Sequence, residues 1–179
     1  MKPAIIWLFA LVCIGHVHGQ DTPRRSIVMG TLSFAGLGVS GEWNAHKYFT
    51  VETSVAFGPS YVVEDDAFFN TALAYPVYDR PAIRFSVTPR IYLMSPRPVQ
   101  TRKVDPYLGF QFSYVTKPLA EYGGSHDAWL FHLHIGLRQM VSKKFVFNGY
   151  VGIGRAQNAV TGEGSMFPAF NALIGYVFN

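Results

Sequence analysis

The sequence predicts an all-β protein, with eight antiparallel strands closed up-and-down into a barrel behind a cleavable leader. Three observations predict it. From Ile27 onward apolar residues return at every second position, the mark of strands with one apolar face. Charge is scarce: Asp, Glu, Lys and Arg make up 15% of 179 residues, against 49% hydrophobic and 16% aromatic. Soluble domains usually carry about 25% charged residues. Finally, the opening MKPAIIWLFALVCIGHVHGQ has the layout of a secretory signal. The length suits one domain, and the abundance of aromatic and branched aliphatic residues excludes disorder. A bundle of membrane-spanning helices is excluded as well, because no internal stretch approaches roughly 18 uninterrupted apolar residues.

In the leader, Lys2 supplies the positive end, Ala4 to Ile14 an apolar stretch of 11 residues, and Val17-x-Gly19 a small-residue exit. Cleavage after Gly19 divides the chain into a signal peptide, 1–19, and a barrel domain, 20–179. An uncleaved anchor would need a longer apolar run. A lipid-modified Cys13 is set aside because Val12 stands where a small residue is expected. Cleavage removes the single cysteine, so the mature chain has neither disulfide nor thiolate chemistry. It also removes Lys2, leaving 14 basic against 11 acidic residues, a net charge of +3. The basic residues are scattered, so nucleic acid is not an expected partner.

The strands are expected at 26–34, 37–45, 48–61, 82–95, 105–117, 128–141, 145–157 and 167–178. The first two are split at Ala35-Gly36, where Gly36 can supply the backbone freedom of a tight hairpin. In the third, Phe49, Val51, Val55 and Phe57 face away from Glu52, Ser54 and Gly58. In the fourth, Ile83, Phe85, Val87, Pro89, Ile91 and Leu93 oppose Arg84, Ser86, Thr88, Arg90 and Tyr92. The fifth sets Leu108, Phe110, Phe112 and Tyr114 against Tyr107, Gly109, Gln111 and Ser113. The sixth sets Trp129, Phe131, Leu133, Ile135 and Leu137 against His132, His134, Gly136 and Arg138. In the seventh, Phe145, Phe147, Val151 and Ile153 oppose Asn148, Tyr150, Gly152 and Gly154. The last sets Phe170, Ala172, Ile174, Tyr176 and Phe178 against Asn171, Leu173, Gly175 and Val177. An even strand number returns both termini to one side. Short turns then fall at 46–47, 96–104 and 142–144, and loops at 35–36, 62–81, 118–127 and 158–166 on the other side.

Alternation alone does not say which face is outside. Lysine placement does: Lys47, Lys103, Lys117, Lys143 and Lys144 all lie in turns or at strand ends. A water-soluble barrel would stud its outer face with Lys and Glu. Here the polar face carries Gly, Ser, Thr, Asn and a few Arg and Glu, as a narrow lumen does. Aromatics gather at strand ends, with Trp43, Tyr48 and Phe145 at one boundary and Tyr61, Tyr114, Trp129 and Phe167 at the other. That is the double girdle of a transmembrane β-barrel, and it predicts placement in the cell outer membrane.

A resemblance adds to this reading. The ending FNALIGYVFN, with Phe170, Ala172, Ile174, Tyr176 and Phe178 in alternation, resembles the C-terminal signal of outer-membrane barrels; those usually stop at the aromatic residue, whereas Asn179 follows here. The opening SIVMGTLSFAGLGVSGEWNAHKYFTVETSVAFG resembles the first hairpins of small Gram-negative barrels of the OmpA/OmpX kind. The resemblance implies the fold and says little of function, since such barrels include structural anchors, adhesion factors and lipid A-modifying enzymes.

Chemistry is sought in the lumen. Glu42, Glu52, Arg90 and Arg138 point inward near the end that holds the termini, with Arg84 higher. Isolated charges buried there are very costly, so a Glu/Arg network is expected, with Gln111, Asn148 and Tyr150 completing its hydrogen bonds. Such a network either fills the lumen statically or switches pairs as a gate; about eight strands leave room for side chains rather than a channel. His132 and His134 share one face, with His126 in the preceding loop. Without a third ligand at fixed spacing they are expected as hydrogen-bonded lumen residues, not a metal site. Ser125-His126-Asp127 has the groups of a catalytic triad, but consecutive residues do not align as nucleophile, base and orienter. Lipid A deacylases of this barrel type carry a His-x-Ser pair that is lacking here. No catalytic residue, metal or cofactor is therefore expected.

The loops carry Glu64, Asp65, Asp66, Asp79, Glu121, Asp127 and Glu163 on one side, with Lys47, Arg97, Arg102, Lys103, Lys143 and Lys144 on the other. The acidic run lacks the spaced oxygens of a calcium loop and reads as a solvated tip. AFFNTALAYPVY, inside the loop 62–81, implies strand extensions or a contact surface. Arg155, on the apolar face near a boundary, can meet lipid phosphates or simply snorkel. The expected function is a monomeric, non-enzymatic outer-membrane protein with a structural or surface-interaction role. Its partners would be outer-membrane lipid, lipopolysaccharide, and an extracellular or periplasmic protein. The alternatives are a lipid A-modifying enzyme and a soluble, lipocalin-like barrel holding a hydrophobic ligand.

Overall fold

The computed structural model describes residues 27–46, 48–66, 71–93, 104–117 and 126–178; over 61–66 and 71–80 it describes the backbone. The leader, Lys47, Arg97, Arg102, Lys103, Glu121 and Ser125 lie outside the described residues. Eight strands follow in order: β1 (Ile27–Ser33), β2 (Gly36–His46), β3 (Phe49–Asp66), β4 (Thr71–Tyr92), β5 (Val104–Val115), β6 (Ala128–Met140), β7 (Phe145–Asn158) and β8 (Gly164–Phe178). Each pairs antiparallel with the next, and β1 pairs with β8 from Val28↔Phe178 to Ser33↔Leu173, closing the barrel. The end holding the start of β1 and the end of β8 is called the lower rim below.

Burial alternates along most of the described strand side chains, as period two requires. Leu108, Phe110 and Phe112 are exposed on the outside, while Tyr107, Gln111 and Ser113 are buried in the lumen. The first hairpin turns at Phe34–Ala35, one residue earlier than expected, because Ser33 pairs with Gly36. Gly36 has φ of +114°, a conformation that side-chain-bearing residues rarely adopt. The Ser33 hydroxyl braces the turn by accepting from the Ala35 amide at 3.1 Å.

The largest departure lies between β3 and β4. Residues 62–66 and 71–81 are strand rather than loop: the ladder runs on to Asp66↔Thr71. The register breaks where Pro59 faces Pro81, after which Ser60 pairs with Val77. Neither proline has an N–H for the ladder, so pairing lapses there and resumes with residues to spare on β4. The extended hairpin rises above the upper rim, and Leu73 makes a backbone bridge to Met166 of β8. In the barrel order β8 is four strands from β4, so the bridge ties the extended hairpin to a strand that β4 does not neighbour in the barrel wall. Met166 is available because β8 begins at Gly164 rather than 167, after a turn in which Gly162 has φ of +77°.

Candidate functional site: the filled lumen

The lower half of the lumen is ionic. Glu42 on β2 and Glu52 on β3 stand directly opposite in register, a like-charge pairing that is unfavourable alone. Two arginines offset it. Arg90 of β4 places Nη1 2.8 Å from Glu52 Oε2 and 3.8 Å from Glu42 Oε2. Arg138 of β6 donates from Nη1 to Glu42 Oε1 at 2.8 Å. Tyr92 donates to the same oxygen at 3.0 Å and accepts from Arg138 at 3.3 Å. All four charged residues are at most 9% exposed. Ions so far from water persist because each meets an opposite charge at short range. Below them Met29, Val146 and Val177 form an apolar floor with Ile27 and Met140.

Above the ion pairs rises a column of rings. The Tyr107 ring presents its face to the Arg90 guanidinium carbon at 4.9 Å and lies 5.6 Å from Tyr92, and its hydroxyl donates to Asn148 Oδ1 at 2.7 Å. His134 meets Tyr107 edge-on at 5.7 Å and lies 4.2 Å from Tyr150. His132 stacks on Tyr150 at 5.3 Å and meets Phe167 at 6.2 Å. Glycine makes room for these rings. Tyr107 faces Gly136 and His134 faces Gly109 across β5–β6, and a Cβ at either glycine would collide with the opposing ring. Large against small across neighbouring strands is how a narrow lumen fills without voids.

The top of the lumen is apolar: Ala82, Val115, Leu130, Ala156, Phe167 and Ala169 pack together, with Tyr150 against them. Gln111 does not reach the Glu/Arg pairs. It donates to Ser113 at 2.8 Å and to Ser86 at 3.3 Å, in a separate polar girdle higher up. Arg84 is buried at that higher level, opposite Val115 on β5. The two histidines depart from expectation too. Both are buried, yet none of their ring nitrogens has a hydrogen-bond partner among the described residues; the rings are held by stacking. Phe167, expected in an aromatic girdle, points inward because it shares parity with Ser165 and Ala169.

Sequence reading passed over Tyr92 and Tyr107 as members of the charged cluster. Both sit on the polar face by parity, which was the available signal. Outside the lumen, Asp127 accepts from the Tyr114 hydroxyl and, at 2.7 Å, from the Lys117 amide, so it clasps the upper end of β5. No group of three or more metal-ligating side chains forms among the described residues.

No family model and no curated protein matches the chain. Among solved structures, it is similar to the N-terminal β-barrel domain of Pseudomonas aeruginosa OprF. The similarity covers 86% of this chain and 95% of that one, at 13% identity and a TM-score of 0.47. The closed eight-stranded barrel itself rests on the strand pairing described above.

Proposed function

We propose that this protein is an integral outer-membrane barrel whose work is done by its exterior and its upper hairpins, with a lumen that is filled rather than conducting. One observation carries the reading: the distribution of charge is inside-out. Among the described strand side chains, Arg155 is the only Asp, Glu, Lys or Arg on the outer face, whereas Glu42, Glu52, Arg84, Arg90 and Arg138 are buried. The outer face instead shows Leu32, Leu37, Ile135 and Phe170, each more than 60% exposed. A barrel of this pattern in water would expose an apolar patch far beyond the few hundred Å² that soluble monomers tolerate. In a bilayer the same face is matched to its solvent, and the pairing of β1 with β8 closes the sheet on itself. Tyr114 with Trp129, ring centroids 4.7 Å apart, and Trp43 with Phe145 lie near opposite rims, where amphipathic rings suit the lipid–water boundary.

The role is structural or surface-interacting rather than catalytic. Asp127 is committed to Tyr114 and Lys117, which removes the orienting group from Ser125-His126-Asp127. The deciding experiment is a gel of outer-membrane fractions with and without boiling, since closed membrane barrels commonly resist SDS until heated. A heat-dependent shift in that fraction is expected. Recovery in the periplasm as a detergent-free soluble protein would overturn the reading and turn attention to a hydrophobic ligand inside. Lipid A mass spectra unchanged by expression of the protein would separate a structural barrel from a modifying enzyme.

A further inference from the structure

We propose that Arg155 is a lipid-binding residue that holds the phosphate of an outer-leaflet lipid A molecule against the barrel wall. The inference rests on the membrane placement proposed above. In that setting a charged side chain on the lipid face is expensive unless it reaches the headgroup layer. Arg155 lies near the upper end of β7, with Phe131 of β6 and Met166 of β8 on either side in register. The Arg155 side chain is directed towards the rim. A Cβ built on Gly164, two residues further up β8 than Met166, would stand 2.8 Å from Nε and 3.2 Å from Nη2, so the guanidinium occupies the space that the glycine leaves open.

No carboxylate among the described residues pairs with Arg155. The nearby acid in sequence, Glu163, takes a hydrogen bond from the Thr161 hydroxyl at 3.1 Å. The guanidinium thus keeps its planar fork of donors for an external anion, and that fork matches phosphate geometry. Trp129 and Gln157 occupy the same level as Gly164, marking the boundary. Ile153 and Met166, 58% and 54% exposed, supply an apolar surface beside and beneath it for acyl chains. An anion above and chains below describe a phosphorylated lipid rather than a free phosphate, and the upper side would be the outer leaflet.

The test titrates the barrel, purified in zwitterionic detergent, with bis-phosphorylated lipid A and with its dephosphorylated form. Retained lipid is counted by native mass spectrometry. The wild type is expected to bind the phosphorylated form about tenfold tighter or more, the scale of a charge-assisted contact. Arg155→Gln should abolish the preference and Arg155→Lys keep part of it. Gly164→Leu, which fills the space under the guanidinium while leaving the charge, should weaken it. Equal binding by wild type and Arg155→Gln would overturn the proposal, as would full displacement by millimolar inorganic phosphate. Failure of the membrane reading is separately visible, because the protein would then be soluble without detergent before any lipid is added.

Discussion

The lower and upper halves of the lumen solve the same problem with opposite chemistry. Below, Glu42, Glu52, Arg90 and Arg138 fill the bore with ion pairs; above, Ala82, Val115, Leu130, Ala156, Phe167 and Ala169 fill it with apolar packing. Both fill the bore with side chains, but they fail differently. Removing one ion strands its partner without solvent, whereas trimming an apolar side chain leaves a void that neighbours can partly close. The ionic half is also more specific about register. The Arg138–Glu42 bond joins residues 96 apart in sequence and reaches from β6 to β2, so a slipped strand would lose it. The apolar half tolerates small shifts because packing is less directional.

The largest expected effect comes from the ionic half. Arg138→Leu leaves Glu42 with Tyr92 and a distant Arg90, and should cost about 3–5 kcal/mol in stability. Urea unfolding of the vesicle-embedded barrel, followed by gel mobility, measures it; a loss below about 1 kcal/mol would mean that Arg90 takes over both carboxylates. Leu130→Ala in the apolar half should cost about 2–4 kcal/mol by the same assay, without raising ion conductance, because the charges below still close the bore. At the junction of the halves, Gly136→Ala should push Tyr107 off its seat and break its bond to Asn148, costing about 1–3 kcal/mol. Near-ultraviolet circular dichroism would register the displaced ring. Exchanging the charges as Glu52→Arg with Arg90→Glu should cost little more than about 1 kcal/mol and leave single-channel recordings silent. A lasting conducting state in that variant would replace static filling by a gate. The smallest effect belongs to the outer face: Ile135→Leu should change stability by no more than about 0.5 kcal/mol, since under the proposed membrane placement lipid meets either side chain.

Much of the fold was legible because it is local. Alternation at Ile83 through Leu93 and at Trp129 through Leu137 sorted inside from outside correctly. The tight hairpins at Gly36 and after Met140 lie within a few residues of their expected places. The inward position of Glu42, Glu52, Arg90 and Arg138 follows from parity as well. What they meet does not. Tyr92 joins Glu42 and Arg138, and Gln111 turns instead to Ser86 and Ser113, according to heights around the barrel that no single strand encodes. His132 and His134 stack instead of hydrogen-bonding because Gly109, Gly152, Gly154 and Tyr150 on neighbouring strands shape the space around them. The reach of β3 and β4 beyond Pro59 and Pro81 was expected as a loop holding either strand extensions or a contact surface; the break of register at those prolines is what alternation does not encode.

The sequence by itself determined the number of strands, their parity and the reversal of charge from surface to lumen. Each follows from a two-residue period and from the solvent each face must meet. The tertiary structure alone decided which arginine holds which glutamate, which rings stand over which glycines, and that Leu73 of β4 reaches Met166 of β8. These depend on stagger between strands and on curvature around a closed sheet. Such quantities are shared by distant segments and are set only when β1 meets β8.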